Sequence, residues 1–158
     1  MNDEFFMKEA LNEAKLAASE EEVPIGAVIV YKNKIIARGH NYTVKGKSAL
    51  KHAEIIAIYE ASKFIGDFRL NGCTMYVTME PCSMCAGAIV NSRIDRVVIA
   101  LPDYKRGACG SHIDLTNDKD QLWKSEVEMG LFKEESLEIV QNFFKLLRKK
   151  NKEKKQKK

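Results

Sequence analysis

The spacing of apolar positions along the chain changes several times, and each change marks an element. Between residues 3 and 18, Phe6, Met7, Leu11, Ala14 and Ala18 recur at three or four positions behind Asn2 or Asp3, either of which can cap a helix start. The acidic run 20–22 and Pro24 end that helix. Residues 25–31 form a nearly continuous run rich in Val and Ile, and residues 32–34 part it from a second run that opens with Ile35 and Ile36. The pair predicts a buried hairpin.

A polar connection, 41–51, leads into a helical rhythm of Ala53, Ile56, Ala57, Glu60 and Ala61 that lasts to about Ile65. Residues 73–79 alternate instead, with Met75 and Val77 on one face and Tyr76 and Thr78 on the other, as a strand does. Glu80-Pro81 closes the strand, and because proline is tolerated where a helix begins, Ser83 to about Asn91 is expected to be the next helix. Residues 96–101 follow as a strand, and a strand–helix–strand unit this short requires a crossover that makes a parallel pair. Residues 103–115, with Gly107 and Gly110, are expected to be a long irregular loop, and a weak strand is expected near Val127. Leu137, Val140, Phe144 and Leu147 mark one stripe of a terminal helix. These elements predict one α/β domain over residues 1–148, a three-layer α/β/α arrangement around a mixed sheet of about five strands. A basic tail, 149–158, is expected to be frayed helix or disordered.

At 158 residues the chain is long enough to remove roughly two-thirds of its unfolded surface from water without disulfides. No apolar run approaches the roughly 18 residues of a membrane span. The first eight residues hold acids and two phenylalanines where a secretory leader would be basic and then apolar, so a cytoplasmic location is expected. The net charge of +4 is unevenly spread: residues 145–158 carry nine Lys or Arg against Glu153 alone, which is +8 there and −4 elsewhere. Such a cluster is either a solvated run or a holder of polyanions.

Four cysteines in a chain of this kind suggest a reducing compartment, where thiols bind metal or react more often than they pair. Only Cys82 and Cys85 have an informative spacing; Cys73 and Cys109 fit packing. Two thiols three residues apart at a helix start lie about 60° apart around the axis and one turn along it, so one ion can touch both. The helix N-terminus also favours thiolate. A lone C-x-x-C also serves dithiol redox chemistry and zinc ribbons, but no second C-x-x-C is present, and an oxidant would leave His52 and Glu54 without a role. His52 and Glu54 can serve one centre only at a helix end, where they fall. His52, Cys82 and Cys85 then supply three ligands, and catalytic zinc keeps its fourth position for water. Glu54, beside that water, suits a proton shuttle.

His52-Ala-Glu followed by Pro81-Cys-x-x-Cys is the signature of the zinc nucleobase deaminases, whose fold is cytidine deaminase-like. Val23-Pro-Ile-Gly-Ala-Val-Ile-Val, His52-Ala-Glu-Ile, Thr78-Met-Glu-Pro-Cys-Ser-Met-Cys-Ala-Gly-Ala-Ile and Ser92-Arg-Ile together resemble the bacterial tRNA-specific adenosine deaminases. The likeness runs from about Phe5 to Arg148 and includes Asp103-Tyr-Lys-Arg-Gly-Ala-Cys-Gly-Ser and Phe143-Phe-Lys-Leu-Leu-Arg.

The resemblance implies one Zn²⁺ per subunit and hydrolysis of the wobble adenosine, position 34, of a tRNA anticodon to inosine. Activated water adds to C6 of a flipped base, and Glu54 protonates the ring nitrogen and then the departing amine. It also implies that Asn41 and the Ala53 backbone hold the base, that Arg69, Lys105, Phe144 and Arg148 grip the anticodon stem-loop, and that the active form is a homodimer. The lysine tail is expected to add salt-dependent, sequence-blind affinity. Two alternatives stay open: a deaminase of a free base or nucleoside (guanine, cytosine or cytidine), and an RNA-binding module with structural zinc. The second would recruit a fourth ligand from Cys73, Cys109, His40 or His112.

Overall fold

The structure, a computed structural model, describes residues 2–157. Helix α1 (Asp3–Ser19) starts where the Asn2 side chain accepts the Phe5 N–H at 3.0 Å, with Asp3 and Glu4 in the first turn, where the positive helix end favours acids. Strands β1 (Gly26–Tyr31) and β2 (Lys34–His40) form the hairpin. Lys32 and Asn33 take φ of 49° and 64°, which makes a two-residue turn of the hand that suits twisted antiparallel strands. β2 therefore starts one residue before the apolar run that announces it.

Then come α2 (Ala53–Ile65), β3 (Cys73–Met79), α3 (Ser83–Asn91), β4 (Arg96–Leu101), β5 (Glu126–Met129) and α4 (Lys133–Gln156). The sheet order is β2-β1-β3-β4-β5, with β1 antiparallel to both neighbours and β3, β4 and β5 parallel. This is the mixed five-strand sheet between helical layers that the pattern predicts.

Period-two alternation sorts the strands into two cores. Ala27, Ile29, Met75, Val77, Val97 and Ile99 face Ala53, Ala57, Ala86 and Ile89 of α2 and α3. Val28, Val30, Tyr76, Val98 and Ala100 face Phe6, Met7 and Ala10 of α1. Fully buried side chains such as Ile29 and Ile99 each contribute about 1.5–3 kcal/mol.

The pairing Gly26↔His40, Ala27↔Val77 and Met79↔Leu101 brings the ends of β2, β3 and β4 to one edge of the sheet. The 41–51 loop, the Glu80-Pro81 turn and the 103–115 loop all leave from that edge. A Cβ on Gly39 would come within 2.4 Å of the Ala53 carbonyl oxygen, so the start of α2 is set directly on β2.

Helix α4 begins at the same edge, where Ser136 Oγ donates to the Thr78 carbonyl at 2.6 Å. It runs unbroken past residue 148 to Gln156, where the sequence predicts fraying or disorder. No Gly or Pro follows Gly130, the segment is rich in helix-forming Lys, Leu and Glu, and Lys150 is ion-paired with Glu21. Lys158 and Met1 lie outside the described residues. Among the described residues no helix is long and apolar enough to cross a membrane.

Candidate metal centre

His52 and Cys82 occupy the same structural position on two helices. Each is the N-cap residue, with extended backbone, and neither side chain caps its own helix. Ser, Thr, Asn or Asp at those positions would fold back onto the first N–H groups; the imidazole and the thiol here approach each other instead. Cys85, three residues into α3, lies one turn along. His52 Nδ1 stands 3.7 Å from Cys82 Sγ and 3.5 Å from Cys85 Sγ. Among the described residues these three form the one His/Cys/Asp/Glu group whose ligand atoms all lie within 4.8 Å of one another.

The donor set fits a borderline-soft divalent ion: two sulfurs, one aromatic nitrogen and no carboxylate among the ligands. The Cys85 thiol beside it lowers Cys82 to about 5, helped by the Cys85 and Met84 backbone N–H groups and by His52. Cys85 is raised by its contact with Cys82 and by burial.

Glu54 sits in the first turn of α2, 3% exposed, and its Oε1 is buried with no hydrogen-bond partner. Burial, reinforced by the Cys82 charge, pushes its carboxyl up to about 7. A buried carboxyl oxygen left unpartnered beside a ligand cluster is poised to exchange a proton with whatever enters.

Asn41 leads out of β2. Its N–H donates to the Ile25 carbonyl at 3.1 Å, and its Oδ1 accepts the Ala53 N–H at 2.9 Å. The Ala53 N–H is thus engaged with Asn41, and Asn41 Nδ2 is the group left to donate.

The other four residues spread out. Lys105 is exposed on the 103–115 loop. Phe144, 38% exposed, and Arg148 lie on the outer half of α4. Arg69 lies beyond the far end of α2, stacked 4.4 Å over Phe68 and 3.3 Å from Asp67. The 13 residues of α2, about 20 Å of helix, separate it from His52.

The four alternative ligands are elsewhere. His40 is held between Glu13 (2.9 Å) and Glu20 (3.3 Å). His112 is on the exposed part of the loop. The Cys73 thiol, in the core, is pushed up by burial to about 11, and burial together with the Glu80 carboxylate raises Cys109.

Two acids matter beyond what the sequence reading assigned them. Glu80, 4% exposed, accepts the Asp103 N–H at 3.0 Å on one oxygen and the Cys109 and Ser111 N–H groups at 3.0 and 3.1 Å on the other. It clamps the 103–115 loop onto the turn that carries Cys82, where the Ala108 N–H also donates to the Pro81 carbonyl at 2.9 Å. A Cβ on Gly107 would come within 2.4 Å of the Glu80 carboxyl carbon, so only glycine lets the loop close. Glu22, 1% exposed, does the same for the 41–51 loop through the Val44 and Lys45 N–H groups at 3.1 and 2.8 Å. The signal for both lies in the loops: long irregular stretches whose backbone donors must be satisfied by something.

A profile of the MafB19-like deaminase family matches residues 1–148. The tRNA-specific adenosine deaminase of Bacillus subtilis (strain 168) is 46% identical over 150 residues, 95% of this chain and 93% of that protein. A solved structure from biochemical and structural studies of A-to-I editing by tRNA:A34 deaminases at the wobble position of transfer RNA superposes with a TM-score of 0.83. It is 41% identical and covers 85% of this chain and 98% of the other. A guanine deaminase structure from Bacillus subtilis is similar over a shorter span, with a TM-score of 0.62 and 38% identity over 65% of this chain and 66% of that one.

Proposed function

The chain belongs to the tRNA-specific adenosine deaminases, and from that membership we propose that it hydrolyses the adenosine at wobble position 34 of a tRNA anticodon to inosine, releasing ammonia. The observation that carries the reading is the buried, unpartnered Glu54 Oε1 beside the His52, Cys82 and Cys85 cluster. The reaction needs a proton carrier next to activated water, and this carboxyl has no other engagement for that oxygen.

His52 through Nδ1, with Cys82 and Cys85, would hold one Zn²⁺ per subunit; bound there, it supplies the Lewis acidity that makes water nucleophilic at neutral pH. Glu54 would carry two protons in turn: one from the attacking water to the purine ring nitrogen as C6 is attacked, then one from the new C6 hydroxyl to the departing amine, which leaves as ammonia. A carboxyl raised toward neutrality suits both directions of transfer. Asn41 Nδ2 donates to the flipped base, and Ala53 acts through Asn41 by fixing its oxygen. Lys105 and Arg148 take phosphates, and Phe144 offers an aromatic plane to an unstacked base.

Arg69 completes the grip from a second subunit. What supports this is its position beyond the far end of the α2 that His52 opens, about 20 Å of helix from the metal ligand. The active species in this reading is a cytoplasmic homodimer that binds tRNA.

The test is a panel of substrates with a Glu54→Gln control. The protein should convert an anticodon stem-loop carrying adenosine at the wobble position and leave free adenosine, cytidine and guanine untouched. Glu54→Gln should keep its metal and RNA affinity and lose turnover by about 10²–10⁴-fold. Conversion of guanine or cytidine with no reaction on RNA would replace this reading with the free-base one.

A further inference from the structure

Helix α4 sorts its charges between two sides. A groove of about 610 Å³ runs between α4, the end of α1 and the 41–51 loop, and from residue 146 onward it is lined by Leu146, Leu147, Lys150, Asn151, Glu153 and Lys154 of α4 and by Lys157 just after it. Lys150 is tied there to Glu21. The remaining cations of the segment, Lys145, Arg148, Lys149, Lys152 and Lys155, do not line that groove. At about 100° per residue they fall within one arc of roughly 120° on the opposite side. All five are exposed, and none has an acidic partner among the described residues. The acid of this stretch, Glu153, is on the groove side.

Neither bland explanation accounts for this sorting. The helix dipole favours cations only in the last turn, which covers Lys154 and Lys155 and leaves Lys145, Arg148, Lys149 and Lys152 unexplained. Solvation alone would be served by cations all round the helix. The arc has a useful length instead: from residue 145 to 155 it spans about 15 Å in steps of roughly one turn. An arc of that length can meet several successive phosphates along one strand of a duplex. It also starts beside Phe144 and leads away along the helix.

We infer that this face of α4 is a rail for the phosphodiester backbone of the anticodon stem, with Arg148 nearest the loop and Lys149, Lys152 and Lys155 along the stem. The inference rests on the proposed tRNA reading and specifies its docking surface. The Glu21–Lys150 ion pair lies on the groove side, opposite the rail.

The experiment compares two triple variants of the full chain with equal charge loss. K149Q/K152Q/K155Q strips the rail, and K150Q/K154Q/K157Q strips the groove side; glutamine keeps the helix propensity. Affinity for an anticodon stem-loop is measured across salt, along with KM and kcat. Each lost duplex phosphate contact lowers the salt slope by about 0.9, so the rail variant should lose about 2–3 from the slope and roughly tenfold in affinity, with the change in KM and not in kcat. The groove-side variant should lose less than about 1 from the slope. A loop oligonucleotide without its stem should bind both variants alike. Equal losses from the two triples would overturn the rail, since charge and not position would then decide. So would a loss confined to vesicles containing phosphatidylserine with RNA binding intact. If the unsubstituted protein fails on the stem-loop altogether, the tRNA reading falls and takes the rail with it. If it deaminates the stem-loop while the rail variant keeps its slope, only the rail falls.

Discussion

Asn41 Oδ1 accepts the Ala53 N–H at 2.9 Å, joining the residue that leaves β2 to the first residue of α2. The bond fixes which end of the amide faces Ala53 and therefore which end faces a substrate.

In the proposed reading Asn41 has two roles, holding the start of α2 and donating to the base, and substitution separates them. Asn41→Asp keeps an oxygen for the Ala53 N–H and removes the Nδ2 donor, whereas Asn41→Ala removes both. The aspartate variant should stay within about 1 kcal/mol of the parent in denaturant unfolding. It should raise KM for the stem-loop about tenfold or more, and the alanine variant should lose stability as well. An aspartate variant with an unchanged KM would mean that Asn41 holds the helix start and never touches the base.

The ligand assignment makes a sharp prediction for metal content. His52→Ala, Cys82→Ser and Cys85→Ser should each purify with much less metal by plasma emission, while Cys73→Ser and Cys109→Ser should keep a full complement. Their thiols are raised by burial and stay protonated, and protonated thiols are poor ligands. Because bound thiolates must be free of protons, metal affinity should also fall as pH falls. Loss of metal on replacing Cys73 or Cys109 would point to a closed structural site.

What the sequence revealed and what it hid divide along one physical line. The faces of β3 were legible because Met75 and Val77 alternate with Tyr76 and Thr78, whereas the continuously apolar 97–101 showed a strand without its faces, and the start of α3 was legible because Pro81 admits few alternatives. The meeting of His52 with Cys82 and Cys85 was legible because both motifs open helices that share one face of a parallel crossover. Glu80 and Glu22 were hidden because their partners are backbone N–H groups more than 20 residues away, and backbone donors leave no side-chain signature. The length of α4 was hidden for a related reason: Lys150 meets Glu21 across 129 residues of chain. Arg69 shows the limit of motif matching, since likeness to a family names the residue while the fold sets it beyond the far end of α2, away from His52.

Glu80 gives the third prediction. Glu80→Gln exchanges one accepting oxygen for an amino group that confronts backbone donors. Hydrogen exchange should therefore quicken at the Asp103, Cys109 and Ser111 amides, with about 1–3 kcal/mol lost in unfolding. Amides of β3 that bond to β1 should exchange as before. Unaltered protection at Cys109 and Ser111 would show that the loop is held by its other contacts, such as the Ala108 to Pro81 bond.

The last prediction concerns acid stability and turns on Asp3. Arg96 donates to both Asp3 oxygens at 2.9 and 2.7 Å, and the Tyr76 hydroxyl donates at 2.6 Å, across the α1 face of the sheet. The Arg96 guanidinium above all holds the Asp3 carboxyl at about 2, down from its ordinary 3.8. A depressed carboxyl stabilises the folded state fully above its unfolded value, and that contribution is lost as pH falls from about 4 through about 2. Discounted for partial exposure, it amounts to roughly 1–2 kcal/mol at neutral pH. Asp3→Asn should therefore unfold at lower denaturant than the parent at pH 7, and the gap should close as pH approaches 2. A gap of constant size from pH 7 down to that range would assign the role of Asp3 to packing at the helix start and not to its charge.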